Sequence, residues 1–150
     1  MKFETPQSMK LEHKELHAEL EKATKEPGEI GKAANKVAKV LHAHFVSEEE
    51  YAMPPLSLLK QIASGNLTQE MSEVLNMTDK LKSNLSQMLD EHKEIVKALN
   101  ELETASSNSN KLEYVHFCEK LKLHAQTEEE VMYPASILIG EYIKSKLKIR

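Results

Sequence analysis

The chain has 150 residues, 29 % charged and 40 % apolar, which is the composition of a soluble globular protein able to bury one continuous core. Its formal charge of −4 excludes the concentrated basic surface that nucleic acid selects, and a lone cysteine leaves no internal disulfide to form. No apolar run approaches the roughly 20 residues of a membrane span, and "MKFETPQSMK" lacks the apolar core of a signal peptide, so a cytoplasmic protein is expected.

Glu, Lys, Leu, Ala and Met dominate, and all of them favour helix. A first helix is expected over about 5–24, with Met9, His13, Leu16, His17 and Leu20 on one stripe. After the turn "KEPGEIG", a second helix from about Glu29 carries Val37, Leu41, His44, Glu48 and Tyr51 at alternating four- and three-residue steps. Pro54-Pro55 and Gly65-Asn66 bound the next joint. The third helix begins near Thr68, a plausible cap, and carries Val74, Leu81, Leu85, Met88, His92, Ile95 and Leu99. "TASSNSN", Thr104 to Asn110, is a joint, and the fourth helix follows with Tyr114, Phe117, Leu121, His124, Glu128 and Val131. A fifth, shorter helix around Ile137 to Leu147 should pack across an end, with the basic tail "KSKLKIR" complementing its dipole. The expected fold is all-α: an antiparallel up-down-up-down four-helix bundle with a short C-terminal fifth helix.

One frame occurs twice. "HFVSEEEYAMP" runs from His44 to Pro54 and "HAQTEEEVMYP" from His124 to Pro134, an offset of 80 residues. Upstream, "EHKEL" at Glu12 to Leu16 echoes "EHKEI" at Glu91 to Ile95, an offset of 79. This pattern suggests a single domain over 1–150 with an internal two-helix duplication, about 5–54 and 84–134.

The repeated positions interrupt otherwise apolar stripes with His and Glu. A buried carboxylate without a partner costs several kcal/mol, and a buried imidazole needs hydrogen-bond partners. A metal ion removes that objection. His at i and Glu at i+4 point the same way, so two such pairs on facing helices offer two nitrogens and two carboxylates. His13 and His92 bring the set to four nitrogens. Mixed nitrogen and oxygen donors suit iron or manganese better than a structural zinc.

The ordered set His13, His44-x3-Glu48, His92, His124-x3-Glu128, with its "EE…P" continuations, resembles the hemerythrin-like, or HHE cation-binding, domain over about Leu11 to Pro134. The resemblance implies a four-helix bundle around two non-haem irons, bridged by Glu48 and Glu128 and an oxo or hydroxo group. His13, His44, His92 and His124 would be terminal ligands. Oxygen-carrying hemerythrins have a fifth histidine four residues after the first on the third helix, where this chain has Val96. They also pair one Glu bridge with an Asp. His17, four residues after His13, is a candidate replacement supplied from the other half. One iron would then bind His13, His17 and His44; the other would bind His92 and His124 and keep an open position.

His42 and His116 fall off their stripes and read as surface or supporting residues, and Glu49, Glu50, Glu129 and Glu130 as a solvated face from which one could orient an imidazole. Tyr51 and Tyr133 read as core packing, with hydrogen bonding to a ligand as the alternative. Cys118 reads as a small buried residue. The ferritin-like Glu-x2-His signature occurs once, Glu113 to His116, off the stripe. The expected function is binding of dioxygen, peroxide or nitric oxide at the di-iron centre. Decomposition of peroxide or nitric oxide at that centre, and an iron- or oxygen-responsive regulatory module, are the alternatives.

Overall fold

The computed structural model describes residues 3–149, so Arg150, the last residue of the basic tail, lies outside the described residues. Helix α1 spans Gln7–Thr24 and α2 spans Gly28–Ser47. Pro6 precedes α1, and its carbonyl accepts from the Met9 and Lys10 N–H groups, closing the first turn without a side-chain cap. The reversal into α2 depends on two glycines. Gly28 takes φ +74°, and a Cβ on Gly31 would lie 1.9 Å from the Glu26 carbonyl oxygen.

Beyond α2 the helix widens into a π turn, Glu48–Ala52, followed by a 3₁₀ turn, Pro54–Leu58, and the short α3, Leu59–Ala63. Another 3₁₀ turn, Gln69–Val74, leads into α4, Leu75–Asn108, which is 34 residues long. Helix α5 spans Leu112–Thr127, passes through a second π turn, Glu128–Met132, and continues as α6, Tyr133–Leu147.

The fold is an all-α four-helix bundle, with no strand among the described residues. Helix α1 packs on α2, α2 on α4, α4 on α5, and α5 closes the ring on α1. Two expectations need correction. The stretch read as the joint "TASSNSN" is helical through Asn108, with the Thr104 and Ser106 hydroxyls turned back onto the carbonyls of Asn100 and Leu102, where they do not compete for the helix's own N–H groups. The chain reverses only at Ser109–Lys111, where Asn110 adopts φ 55°. The fifth helix, α6, does not cross an end of the bundle. It runs beside the N-terminal half of α4, tied by Lys82–Glu141 and Lys144–Asp79, with Gly140 seated against Thr78.

Two apolar cores result. The first joins Leu16, Leu20, Val37, Leu41, Ile95, Leu99, Phe117 and Leu121. The second joins Tyr51, Met53, Met71, Leu81, Met88, Tyr133, Ile139 and Ile143. Between these stretches, along α2, α4 and α5, lie His44, His92 and His124, all buried. Among the described residues, no helix is long and apolar enough to cross a membrane.

Candidate metal centre

One helical turn separates His44 from Glu48 and His124 from Glu128, so each pair leaves the backbone on one face. His13 on α1 and His92 on α4 face them across the bundle. All six side chains are buried, Glu48 completely and Glu128 to 1 % exposure.

Two groups form, each able to hold a metal ion. His44, Glu48, His92 and Glu128 each bring one donor atom within 4.8 Å of the others, as do His13, His124 and Glu128. Glu128 belongs to both. Its Oε1 lies 3.0 Å from His92 Nε2 and 4.0 Å from His44 Nε2, while its Oε2 lies 3.0 Å from His124 Nε2 and 3.7 Å from His13 Nε2. Glu48 also reaches both, with Oε1 at 3.6 Å from His44 Nε2 and 3.7 Å from His13 Nε2.

The other nitrogen of every histidine meets a glutamate near the rim. Nδ1 of His13 faces Glu49 at 3.4 Å, that of His44 faces Glu91 at 2.8 Å, and that of His92 faces Glu129 at 3.0 Å. Nδ1 of His124 pairs with Glu12. An ionised carboxylate only accepts, so each Nδ1 carries a proton and, in the neutral ring, Nε2 aims its lone pair inward. The sequence repeat follows this arrangement. Shifting by 79 or 80 residues turns Glu12–His124 into Glu91–His44, and Glu49–His13 into Glu129–His92. Sequence reasoning left Glu12 and Glu91 without a role. The signal was the glutamate placed directly before His13 and before His92 in both "EHKE" echoes. Replacing Glu91 with Ala should weaken metal binding about 10- to 100-fold with helicity unchanged, as measured by competition against a chelator.

The donor set fits a metal for a further reason. Glu48 Oε1, Glu128 Oε2 and His124 Nε2 are buried polar atoms with no hydrogen-bond partner. Buried polar groups are ordinarily satisfied; Glu128 Oε2 and His124 Nε2 face the interior that His13 shares, and Glu48 Oε1 lies between His13 and His44. The charges are also tightly linked. Burial, then the Glu128 carboxylate, pushes Glu48 up to about 7. Burial opposes ionisation of Glu128, yet the Glu48, His124, His13 and His44 side chains facing it together hold it well below the usual carboxylate range. Burial alone would lower His44 and His124, but Glu128 and its companions outweigh it, raising them to about 11 and about 9.

The structure groups the histidines differently from the swapped arrangement expected from the sequence. His44 stands with His92, their Nε2 atoms 2.8 Å apart, and His13 stands with His124, ring centroids 5.3 Å apart. His17 joins neither group; it is exposed on α1. The buried positions of that helix, His13, Leu16, Leu20 and Ala23, centre about 80° round the helix from His17. At about 100° per residue, His17 is turned about 60° from Leu20 and about 100° from Leu16. His42 and His116 are exposed as expected, and Tyr51 packs in the second core with its hydroxyl on Met88 Sδ at 3.4 Å. Val96 lines a surface groove with His92, Lys122 and Glu129.

Tyr133 enters the site itself. Its hydroxyl donates to Glu48 Oε2 at 2.7 Å and lies 3.2 Å from His44 Nε2 and 3.1 Å from His92 Nε2. The π turn explains how. Tyr133 N–H bonds to the Glu128 carbonyl, five residues back, so Tyr133 stacks over Glu128 where an ordinary α turn would have stacked Met132. Periodicity counted at 3.6 residues per turn misses it.

No curated protein and no solved structure matches the chain. Residues 83–142, the stretch carrying His92, His124, Glu128 and Tyr133, match the model of the hemerythrin HHE cation binding domain.

Proposed function

We propose that this protein holds two non-haem irons between its helices and binds dioxygen or a related small ligand, peroxide or nitric oxide, at that centre. The observation that carries the reading is Glu128, one buried carboxylate whose two oxygens face two different histidine pairs. The match to a cation-binding family supports it. His44 and His92 would hold one ion, His13 and His124 the other, with Glu48 and Glu128 spanning both; manganese would satisfy the same donors. Bound there, a pair of redox-active metals supplies Lewis acidity and electrons to a small ligand.

The chain's own part is positional. Glu12, Glu49, Glu91 and Glu129 fix the four imidazoles so that their Nε2 atoms face inward. Phe45 stacks on the His13 ring at 4.0 Å and 8°, holding it on the other side. The two apolar cores keep water from the carboxylates, which strengthens their hold on a cation.

The test is metal content with an absorption spectrum on the air-exposed full chain. About two irons per chain, with near-ultraviolet bands that change on adding dioxygen, peroxide or nitric oxide to the reduced protein, is the expected result. Sustained consumption of peroxide or nitric oxide without loss of iron would assign an enzyme at the same centre. Failure to retain iron after anaerobic reconstitution would remove the reading.

A further inference from the structure

The two halves of the site are not equivalent. Repeat symmetry pairs His44 with His124 and His92 with His13, so it exchanges the two metal groups. The same shift of 80 residues takes Tyr133 to Met53. One half therefore has a phenol where the other has a thioether, which is a weak ligand for a hard cation. The unpartnered atoms lean the same way. Glu128 Oε2 and His124 Nε2 lie at the His13–His124 side and Glu48 Oε1 sits between the two sides, 3.6 Å from His44 Nε2 and 3.7 Å from His13 Nε2, whereas at the other side Tyr133 bonds to Glu48 and contacts both imidazoles.

The spacing of these atoms says which place the phenol holds. With metal–donor bonds of about 2.1 Å in an octahedral site, neighbouring donors lie about 3.0 Å apart and opposite donors about 4.2 Å. Around the first group, Tyr133 Oη lies 2.7 Å from Glu48 Oε2, 3.1 Å from His92 Nε2 and 3.2 Å from His44 Nε2. His44 and His92 are 2.8 Å apart, His92 and Glu128 Oε1 3.0 Å, and His44 and Glu128 Oε1 4.0 Å. The last is an opposite pair and the rest are neighbours. An oxygen standing in for the ion at the centre would sit about 2.1 Å from each donor. Tyr133 Oη instead stands among them as another vertex.

We propose that Tyr133 is a protein ligand of the cation held by His44 and His92, which makes the metal pair asymmetric. This rests on the two-metal reading above. Five donors, two imidazoles, two carboxylate oxygens and the phenol oxygen, then surround that ion. The His13–His124 ion has four, and the exogenous ligand binds on that side. On ligation the phenol O–H bond breaks heterolytically: the oxygen keeps the electron pair it shares with the cation, and the proton leaves to solvent.

The experiment is resonance Raman and visible absorption of the ferric full-length protein, with iron counted on the same sample, repeated on Tyr133→Phe. The expected result is a visible phenolate-to-iron charge-transfer band with enhanced phenolate ring modes in the wild-type chain. Both should be lost in Tyr133→Phe. About two irons per wild-type chain and no phenolate modes would overturn the proposal and leave the two-metal reading standing. A wild-type chain that holds no iron would overturn both. Because the decisive spectrum is that of the unaltered protein, a Tyr133→Phe chain that fails to fold does not rescue the idea.

Discussion

Replacing Glu128 with Ala should empty both metal positions together. Each oxygen of this side chain faces a different histidine pair, so one substitution removes a donor from both groups. Loss of a supporting partner alone typically costs 10- to 100-fold in affinity, so loss of a shared ligand should cost each ion more than about 100-fold. Iron per chain, counted after gel filtration, should fall from about two to well below one. Glu130→Ala provides the contrast: it is exposed, two residues away, and should leave the count unchanged. His13→Ala provides the other, since it belongs only to the second group and should cost one ion first. A Glu128→Ala protein that retained both irons would show that the shared carboxylate is not a ligand.

Metal should stabilise the fold by an amount that grows with pH. A ligand that binds only the native chain, at a thousand times its dissociation constant, contributes about 4 kcal/mol, which for a chain of this size raises Tm by about 8–16 °C. The direction with pH follows from the histidines. In the metal-free protein His124 is raised from 6.5 to about 9 and His44 to about 11, where Glu128 and its companions outweigh burial. A group with a raised native pKa contributes stability that is complete below its unfolded value of about 6.5 and is lost as pH climbs through its native value. The metal-free bundle therefore weakens as pH rises through about 9 and again towards about 11. Metal needs neutral imidazoles, so binding releases protons and strengthens over that range. Melting curves with and without chelator should diverge steadily from pH about 6 to about 9. A gap independent of pH would mean that the imidazoles are not displaced from their protons by metal.

Much of the site is legible in the amino-acid sequence. His44 with Glu48, and His124 with Glu128, are local pairs whose direction a regular helix fixes, and the repeat supplies the expectation that both copies meet. The outer glutamates are visible there but carry no assignment. Glu12 and Glu91 adjoin a histidine in sequence yet serve one on another helix, His124 and His44, and adjacency in the chain gives no hint of that exchange.

By itself, the sequence determined the helical class, most of the buried stripe positions and the candidate nitrogen and carboxylate donors, although Val131, counted on the stripe of the fourth helix, is exposed within the second π turn. These depend on spacing along one helix, which backbone hydrogen bonding sets locally. Tertiary structure alone decided which histidines share an interior, since that depends on how α1, α2, α4 and α5 are arranged around the ring. It decided that His17 faces solvent, because the burial stripe of α1 is centred by its neighbours. It also decided that Tyr133 joins His44, Glu48 and His92. A π turn shifts the helix phase by one residue, and it brings Tyr133 inward where the bundle buries Glu128 and Tyr133 together.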